Sequence, residues 1–223
     1  MYCGWRARIG LIMPGNGTNP EYEFHKYAPE GVTVMTQRVL FERVDPEGLR
    51  EMGGRIDSAA KLLATAHPDL VLFGCTSGSL IGGFGYDLEL IKRMEGQCGA
   101  KALTTSSAVL MALKALGAKR VVVATPYVDR VNEIEKKFLE DNGFEVLNIK
   151  GLQNLDPDLM PRTPLRQMYH LTKEVLNPAA DAIFVSCTGL GIAHGINMME
   201  RDFGLPVVTS NQASLWGALR SLS

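Results

Sequence analysis

Val71-Leu-Phe-Gly-Cys75-Thr76 and Ile183-Phe-Val-Ser-Cys187-Thr188 share one pattern at an offset of 112 positions: three apolar residues, one small residue, then Cys-Thr. A short apolar run without polar alternation reads as a parallel strand buried on both faces. The small residue and the Cys-Thr pair mark where that strand hands over to a helix. Working outward, Arg8-Ile-Gly-Leu-Ile-Met-Pro14 and Arg120-Val-Val-Val-Ala-Thr-Pro126 repeat Arg, five strand residues and Pro at the same offset. Ala102-Leu-Thr-Thr-Ser-Ser-Ala108 and Val207-Val-Thr-Ser-Asn-Gln-Ala213 match at an offset of 105, each leading into an Ala/Leu-rich helix. Three matches in one order indicate a duplicated unit.

Further strands are predicted at Ile9 to Met13, Val32 to Leu40, Leu70 to Phe73, Val121 to Ala124, Phe144 to Ile149 and Ala182 to Val185. Helical stretches lie between them. Asp45 to Ala66 opens with Asp-Pro-Glu, a capping residue followed by proline at the first helical position and an acid in the first turn. Another helix, from about Val128 to Asn142, stops at Gly143, a natural left-handed C-terminal residue. The alternation predicts an α/β fold of two pseudo-symmetric, doubly wound parallel-sheet domains with the active site in the cleft between them. Residues 1–104 plus 209–223 are assigned to the first domain and 105–208 to the second. The helix after Ala102 must cross from the first half into the second, so the chain after Thr209 should return.

The bulk properties narrow the partners. Of 223 residues, 46% are hydrophobic and 21% charged, and no apolar run approaches the roughly 20 residues a membrane span needs. A net charge of −1 without long like-charge runs gives no reason to expect nucleic acid or a membrane surface, and points to a small ligand. A cytoplasmic location and a homo-oligomer are expected. Cys3, Cys75, Cys98 and Cys187 form no CxxC pair and no zinc spacing, so they are expected as reduced thiols with no bound metal.

Strand ends of open parallel sheets are where such folds bind ligands. Backbone N–H groups and the helix dipole there favour an anion, so a carboxylate would be held and a thiol would ionise more easily. Cys75, followed by Thr-Ser-Gly-Ser, should favour the thiolate more than Cys187, followed by Thr-Gly-Leu-Gly. A single buried cysteine is usually packing, but two Cys-Thr pairs at equivalent positions beside glycines read as a working pair. Cys3 and Cys98 lack that setting. Gly82, Gly83 and Gly85 suit a tight turn rather than a phosphate loop, since no GxGxxG or Walker pattern follows the first strand. Tyr127 reads equally as a pocket residue or part of a helix start. His194, seven residues after Cys187, would stand two helical turns away and is not expected to form a dyad with it.

At FGCTSGSLIGG (73–83), TPYVDRVN (125–132) and VSCTGL (185–190), the sequence resembles maleate cis-trans isomerases and the related arylmalonate decarboxylases of the aspartate/glutamate racemase superfamily. The resemblance spans nearly the whole chain. It implies a cofactor-independent enzyme with Cys75 as nucleophile and Cys187 as acid/base. Thr76 and Ser77 match residues that hydrogen-bond a small carboxylate substrate, Tyr127 matches a tyrosine that points into the substrate pocket, and Thr188 and Gly189 would offer N–H donors. A carboxylate-binding asparagine matches either Asn16 or Asn19, and the loop 151–164, with Asn154 and Asp156, resembles a lid. The implied activity is cis-trans isomerisation of maleate or a similar dicarboxylate. A two-thiol racemase or epimerase and an arylmalonate-type decarboxylase are the alternatives.

Overall fold

The repeats become strands and the intervals helices in the computed structural model, which describes residues 2–43 and 45–223. The first half runs β1 (Ala7–Pro14), α1 (Asn19–Tyr27), β2 (Val32–Val39), α2 (Pro46–Gly54), α3 (Ile56–Ala64), β3 (Leu70–Phe73), α4 (Thr76–Leu80), α5 (Tyr86–Cys98) and β4 (Lys101–Thr104). The chain continues through α6 (Thr105–Ala115), β5 (Arg120–Thr125), α7 (Asp129–Asp141), β6 (Glu145–Gly151), α8 (Leu165–Val175), β7 (Ala182–Val185), α9 (Ile196–Phe203), β8 (Val207–Thr209) and α10 (Ser210–Leu222). Two four-stranded parallel sheets result, ordered β2-β1-β3-β4 and β6-β5-β7-β8.

The duplication is legible in single hydrogen bonds. Asp69 Oδ2 accepts from Arg8 N, and Asp181 Oδ2 from Arg120 N, both at 2.8 Å. Gly74 N donates to Ile12 O at 2.7 Å and Ser186 N to Ala124 O at 2.9 Å, which ties each Cys-bearing strand end to its central strand. Thr104 and Thr209 cap α6 and α10 by accepting from Ser107 N and Gln212 N.

These two helices also cross between the sheets. Val109, Leu110 and Leu113 of α6 pack with Val121, Val123 and Phe184 of the second sheet. Leu215 and Ala218 of α10 pack with Ile9, Leu11, Leu72 and Leu103 of the first. Close approach there requires Gly217, where a Cβ would meet Ala108 Cβ at 3.0 Å. Burying a side chain such as Leu215 stabilises by about 1.5–3 kcal/mol, so the exchange knits the halves together.

Two local expectations need correction. The single helix from Asp45 to Ala66 is two, α2 and α3, joined at Arg55, whose N–H bonds to Met52 O at 3.0 Å in a tight turn. Gly53 and Gly54 hold helix weakly, and Gly53 lies so close to the Tyr86 hydroxyl that a Cβ would come within 2.6 Å of it. The predicted start survives: Asp45 accepts from Gly48 N at 2.8 Å, with Pro46 at the first position. In the second half no helix begins at Thr188. The chain after Cys187 stays irregular until a short turn of 3-10 helix at Ala193–Gly195 and then α9. Among the described residues, no helix is long and apolar enough to cross a membrane.

Candidate active site

β3 and β7 end side by side with β1 and β5, and their pleats deliver Cys75 and Cys187 to one cavity of about 30 Å³. Ser77, Tyr127, Thr188, Gly189 and Asn16 line the same cavity, whereas Thr76 and Asn19 do not. Larger cavities lie elsewhere. An apolar cleft of about 310 Å³ lies between α1 and α10, lined by Phe24, Tyr27, Leu215 and Trp216, but it holds no thiol. The smaller cavity has both thiols and the hydroxyl-bearing Ser77, Tyr127 and Thr188, and no charged side chain lines it. It has room for on the order of two waters, and the loop that covers it carries Pro157, Met160 and Pro161.

The two cysteines are held differently. Cys75 has extended backbone (φ −147°) and α4 starts at the next residue, so Gly78 N–H reaches back to its sulfur. Ser77 Oγ stands 4.0 Å from that sulfur. Cys187 has φ +108°, a conformation that costs a non-glycine residue on the order of 1–3 kcal/mol. Its N–H donates to Ser210 Oγ at 3.0 Å, and Gly189 N donates to its sulfur at 3.3 Å. Met160 Sδ covers the sulfur at 3.8 Å.

Thr76 and Thr188, the paired residues of the repeat, brace the cleft. Thr76 Oγ1 donates to Ser210 Oγ at 2.8 Å, so Ser210 bridges the first half to the Cys187 backbone. In return, Thr188 Oγ1 donates to Gly74 O at 3.2 Å. Asn211 Nδ2 donates to Thr188 O and Leu190 O, fixing the turn beyond Cys187. Asn19 plays a similar part: its amide donates to Gly189 O at 2.7 Å and Pro161 O at 3.0 Å, joining the turn to the covering loop. Of the two asparagines, Asn16 therefore faces the cavity. Asn154 N is bound to Pro126 O, and Asp156 caps Asp158 N, so both serve the covering loop.

The thiols are harder to ionise than the strand-end argument implied. Burial pushes Cys75 up to about 12, outweighing the Gly78 N–H and Ser77. Burial also pushes Cys187 up, to about 11, against hydrogen bonds from Tyr127, Gly189 and Leu190. Both thiols are thus raised by burial, and α4, with only five residues, does not offset the desolvation at Cys75. Tyr127 lines the cavity and is fully buried, which pushes its phenol well above its ordinary value. His194 sits in the 3-10 turn beside Glu23 rather than on a helix from Cys187.

Sequence reasoning missed Ser186, Ser210, Asn211 and Glu135. Ser210 and Asn211 lie inside the third repeat, but nothing in a run of Thr-Ser-Asn distinguishes a cap from a bridge. Glu135, wholly buried on α7 and pushed up to about 7 by burial, was hidden among the charged residues of an amphipathic helix.

Residues 9–223 match the model of the family described as arylmalonate decarboxylase. Arylmalonate decarboxylase of Bordetella bronchiseptica is 32% identical, covering 79% of this chain and 75% of its own. Maleate isomerase of Nocardia farcinica is 28% identical, covering 96% and 90%. Maleate isomerase Iso of Pseudomonas putida S16, solved with maleate, superposes with a TM-score of 0.92 at 25% identity, covering 97% and 92%. Matched over nearly its whole length by maleate isomerases, the chain is an enzyme of the isomerase class, and it belongs to the family described as arylmalonate decarboxylase.

Proposed function

We propose that the protein isomerises maleate or a similar small cis-dicarboxylate to its trans form, using Cys75 and Cys187 and no metal or nucleotide cofactor. The observation that carries the reading is the pair of buried thiols in one uncharged, donor-lined cavity. A Nocardia farcinica maleate cis-trans isomerase variant, similar at a TM-score of 0.93 and 25% identity over 97% and 92% of the chains, was solved with a covalently bound succinylcysteine intermediate. That supports a thiol adduct here.

The Cys75 sulfur adds to one alkene carbon, and the electron pair moves towards the neighbouring carboxylate as an enolate. Cys187 gives its proton to the other carbon, and the proton that Cys75 loses restores Cys187 as a thiol. The former double bond, now single, rotates. In the reverse of the addition, Cys187 passes its proton to the Cys75 sulfur as the C–S bond breaks and takes up the proton leaving the other carbon, so the trans acid leaves with both thiols regenerated. Neutral thiols in the free site fit this order, because ionisation accompanies addition. Donors from Ser77, Tyr127, Asn16 and the N–H groups at Thr188 and Gly189 hold the carboxylates and stabilise the enolate.

The 32% relative keeps a decarboxylase reading alive, and two thiols would equally serve a racemase. Proton NMR of the protein with maleate in deuterium oxide tests all three. Fumarate formation supports the isomerase. Exchange of a proton next to a carboxylate without fumarate supports the racemase, and carbon dioxide release from an arylmalonate without action on maleate supports the decarboxylase.

A further inference from the structure

Helix α7 turns a buried polar stripe towards the ends of β5 and β7. Asn132, almost wholly buried, accepts from Thr125 Oγ1 at 2.6 Å, and the same oxygen accepts from Tyr127 N at 3.0 Å. Less than one turn further, Glu135 Oε1 accepts from Ser186 Oγ at 2.6 Å. Its other oxygen, Oε2, is buried with no hydrogen-bond partner among the described residues. An apolar side chain would fill that place without desolvating a carboxyl. The carboxyl therefore does something that packing does not need.

Its position says what. Ser186 is held by its N–H to Ala124 and by its hydroxyl to Glu135, and the next residue is Cys187 at φ +108°. A strained conformation persists only where the surroundings over-determine it. Gly74 occupies the equivalent place in the first half and offers no side chain to such an anchor, and Cys75 is unstrained. Glu23, the counterpart of Glu135 at the repeat offset, instead accepts from Ala193 N and Asn211 Nδ2. A buried acid thus stands behind the strained cysteine alone.

We propose that Glu135 is a positioning residue for Cys187: through Ser186 it fixes the strained turn that aims the Cys187 sulfur into the cavity under Tyr127 and Met160. The consequence for turnover rests on the function proposed above, whereas the effect on the thiol itself does not. The test compares the full-length wild type with Glu135→Leu, Glu135→Gln, Ser186→Ala and the Leu/Ala double variant. Iodoacetamide labelling of Cys75 and Cys187 is followed separately by peptide mass spectrometry, alongside kcat and KM on maleate.

Glu135→Leu should speed Cys187 labelling at least about tenfold, because a relaxed turn frees the sulfur, and should leave Cys75 unchanged. In the same variant kcat should fall at least about tenfold at unchanged KM. Glu135→Gln, which keeps an acceptor for Ser186, should return both measures to within about threefold of wild type. Ser186→Ala should match Glu135→Leu, and the double variant should add nothing further. A purely structural role would change both cysteines alike or leave both unchanged, and either result overturns the proposal; so does failure of Gln to rescue. If Glu135→Leu does not fold, Ser186→Ala decides. Should the wild type leave maleate unchanged, the proposed function fails and the labelling comparison still judges Glu135.

Discussion

The two halves deliver a cysteine from the same strand position and then leave it in opposite ways. After Cys75 the chain enters a helix at once, so the thiol has ordinary backbone and a Gly78 N–H beneath it. After Cys187 it enters an irregular turn held by Asn19, Asn211 and Gly189, and the thiol sits on strained backbone backed by Ser186 and Glu135. One repeat thus yields a thiol in an unstrained frame and a second thiol on strained backbone. What the asymmetry adds is independent adjustment of the two thiols.

Four expected outcomes sharpen or break that comparison. The largest concerns Cys75: replacing it with serine should reduce turnover of the natural substrate by about a thousandfold or more, since an unactivated hydroxyl is a poor nucleophile, as stopped assays of fumarate formation would show. Activity within about tenfold of wild type would remove the nucleophile from the first half.

Next comes the pH dependence of stability. Glu135 is pushed up to about 7 in the fold, above its unfolded value. Its contribution is therefore fully present at acid pH below the ordinary carboxyl range and is lost as pH rises through about 7. A shift of that size corresponds to an order of about 3 kcal/mol, so urea unfolding should show stability falling across this window in the wild type and a flatter profile in Glu135→Gln. Glu23 is also raised by burial and titrates in the same direction, so the comparison must be between the two proteins rather than between two pH values. Parallel profiles would place the charge of Glu135 in a better-solvated setting.

Ser210→Ala should then cost about 1–3 kcal/mol, because Cys187 N–H and Thr76 Oγ1 both lose their partner in the interior. A loss near zero would mean that the bridge between the halves is replaceable. The smallest effect is expected for Tyr127→Phe. Without the hydrogen bond that holds Cys187 down, its labelling should slow about threefold at alkaline pH while Cys75 stays unchanged.

Much of this was readable before the structure. The offsets of 112 and 105 identified strand ends, the helix starts at Thr76, Thr105 and Ser210 and the crossing of α6 and α10, but not the irregular turn after Cys187, because duplicated strands are apolar and their caps are chemically restricted. The Cys-Thr pairs led directly to the cavity, whereas the position of Tyr127 at a strand end left open whether it lined the pocket or belonged to a helix start. The break at Arg55 was missed because a glycine pair inside an amphipathic pattern is tolerated as often as it bends. Thr76 was assigned to substrate although its hydroxyl is occupied by Ser210, since a sequence gives the residue at a strand end but not which way its side chain turns. The thiol ionisation was misjudged for a related reason: helix dipoles can be placed from sequence, but desolvation depends on what the other half and the covering loop close off.

The claim that ties these observations together is that Cys75 forms the covalent bond and Cys187 moves the proton. Intact-mass and peptide mass spectrometry of Cys75→Ser and Cys187→Ser, each incubated with maleate, tests it most directly. The account predicts a succinyl adduct on Cys75 that accumulates in the Cys187→Ser protein and no adduct in the Cys75→Ser protein. An adduct on Cys187 in the Cys75→Ser protein, with none in the Cys187→Ser protein, would exchange the roles of the two halves and contradict it.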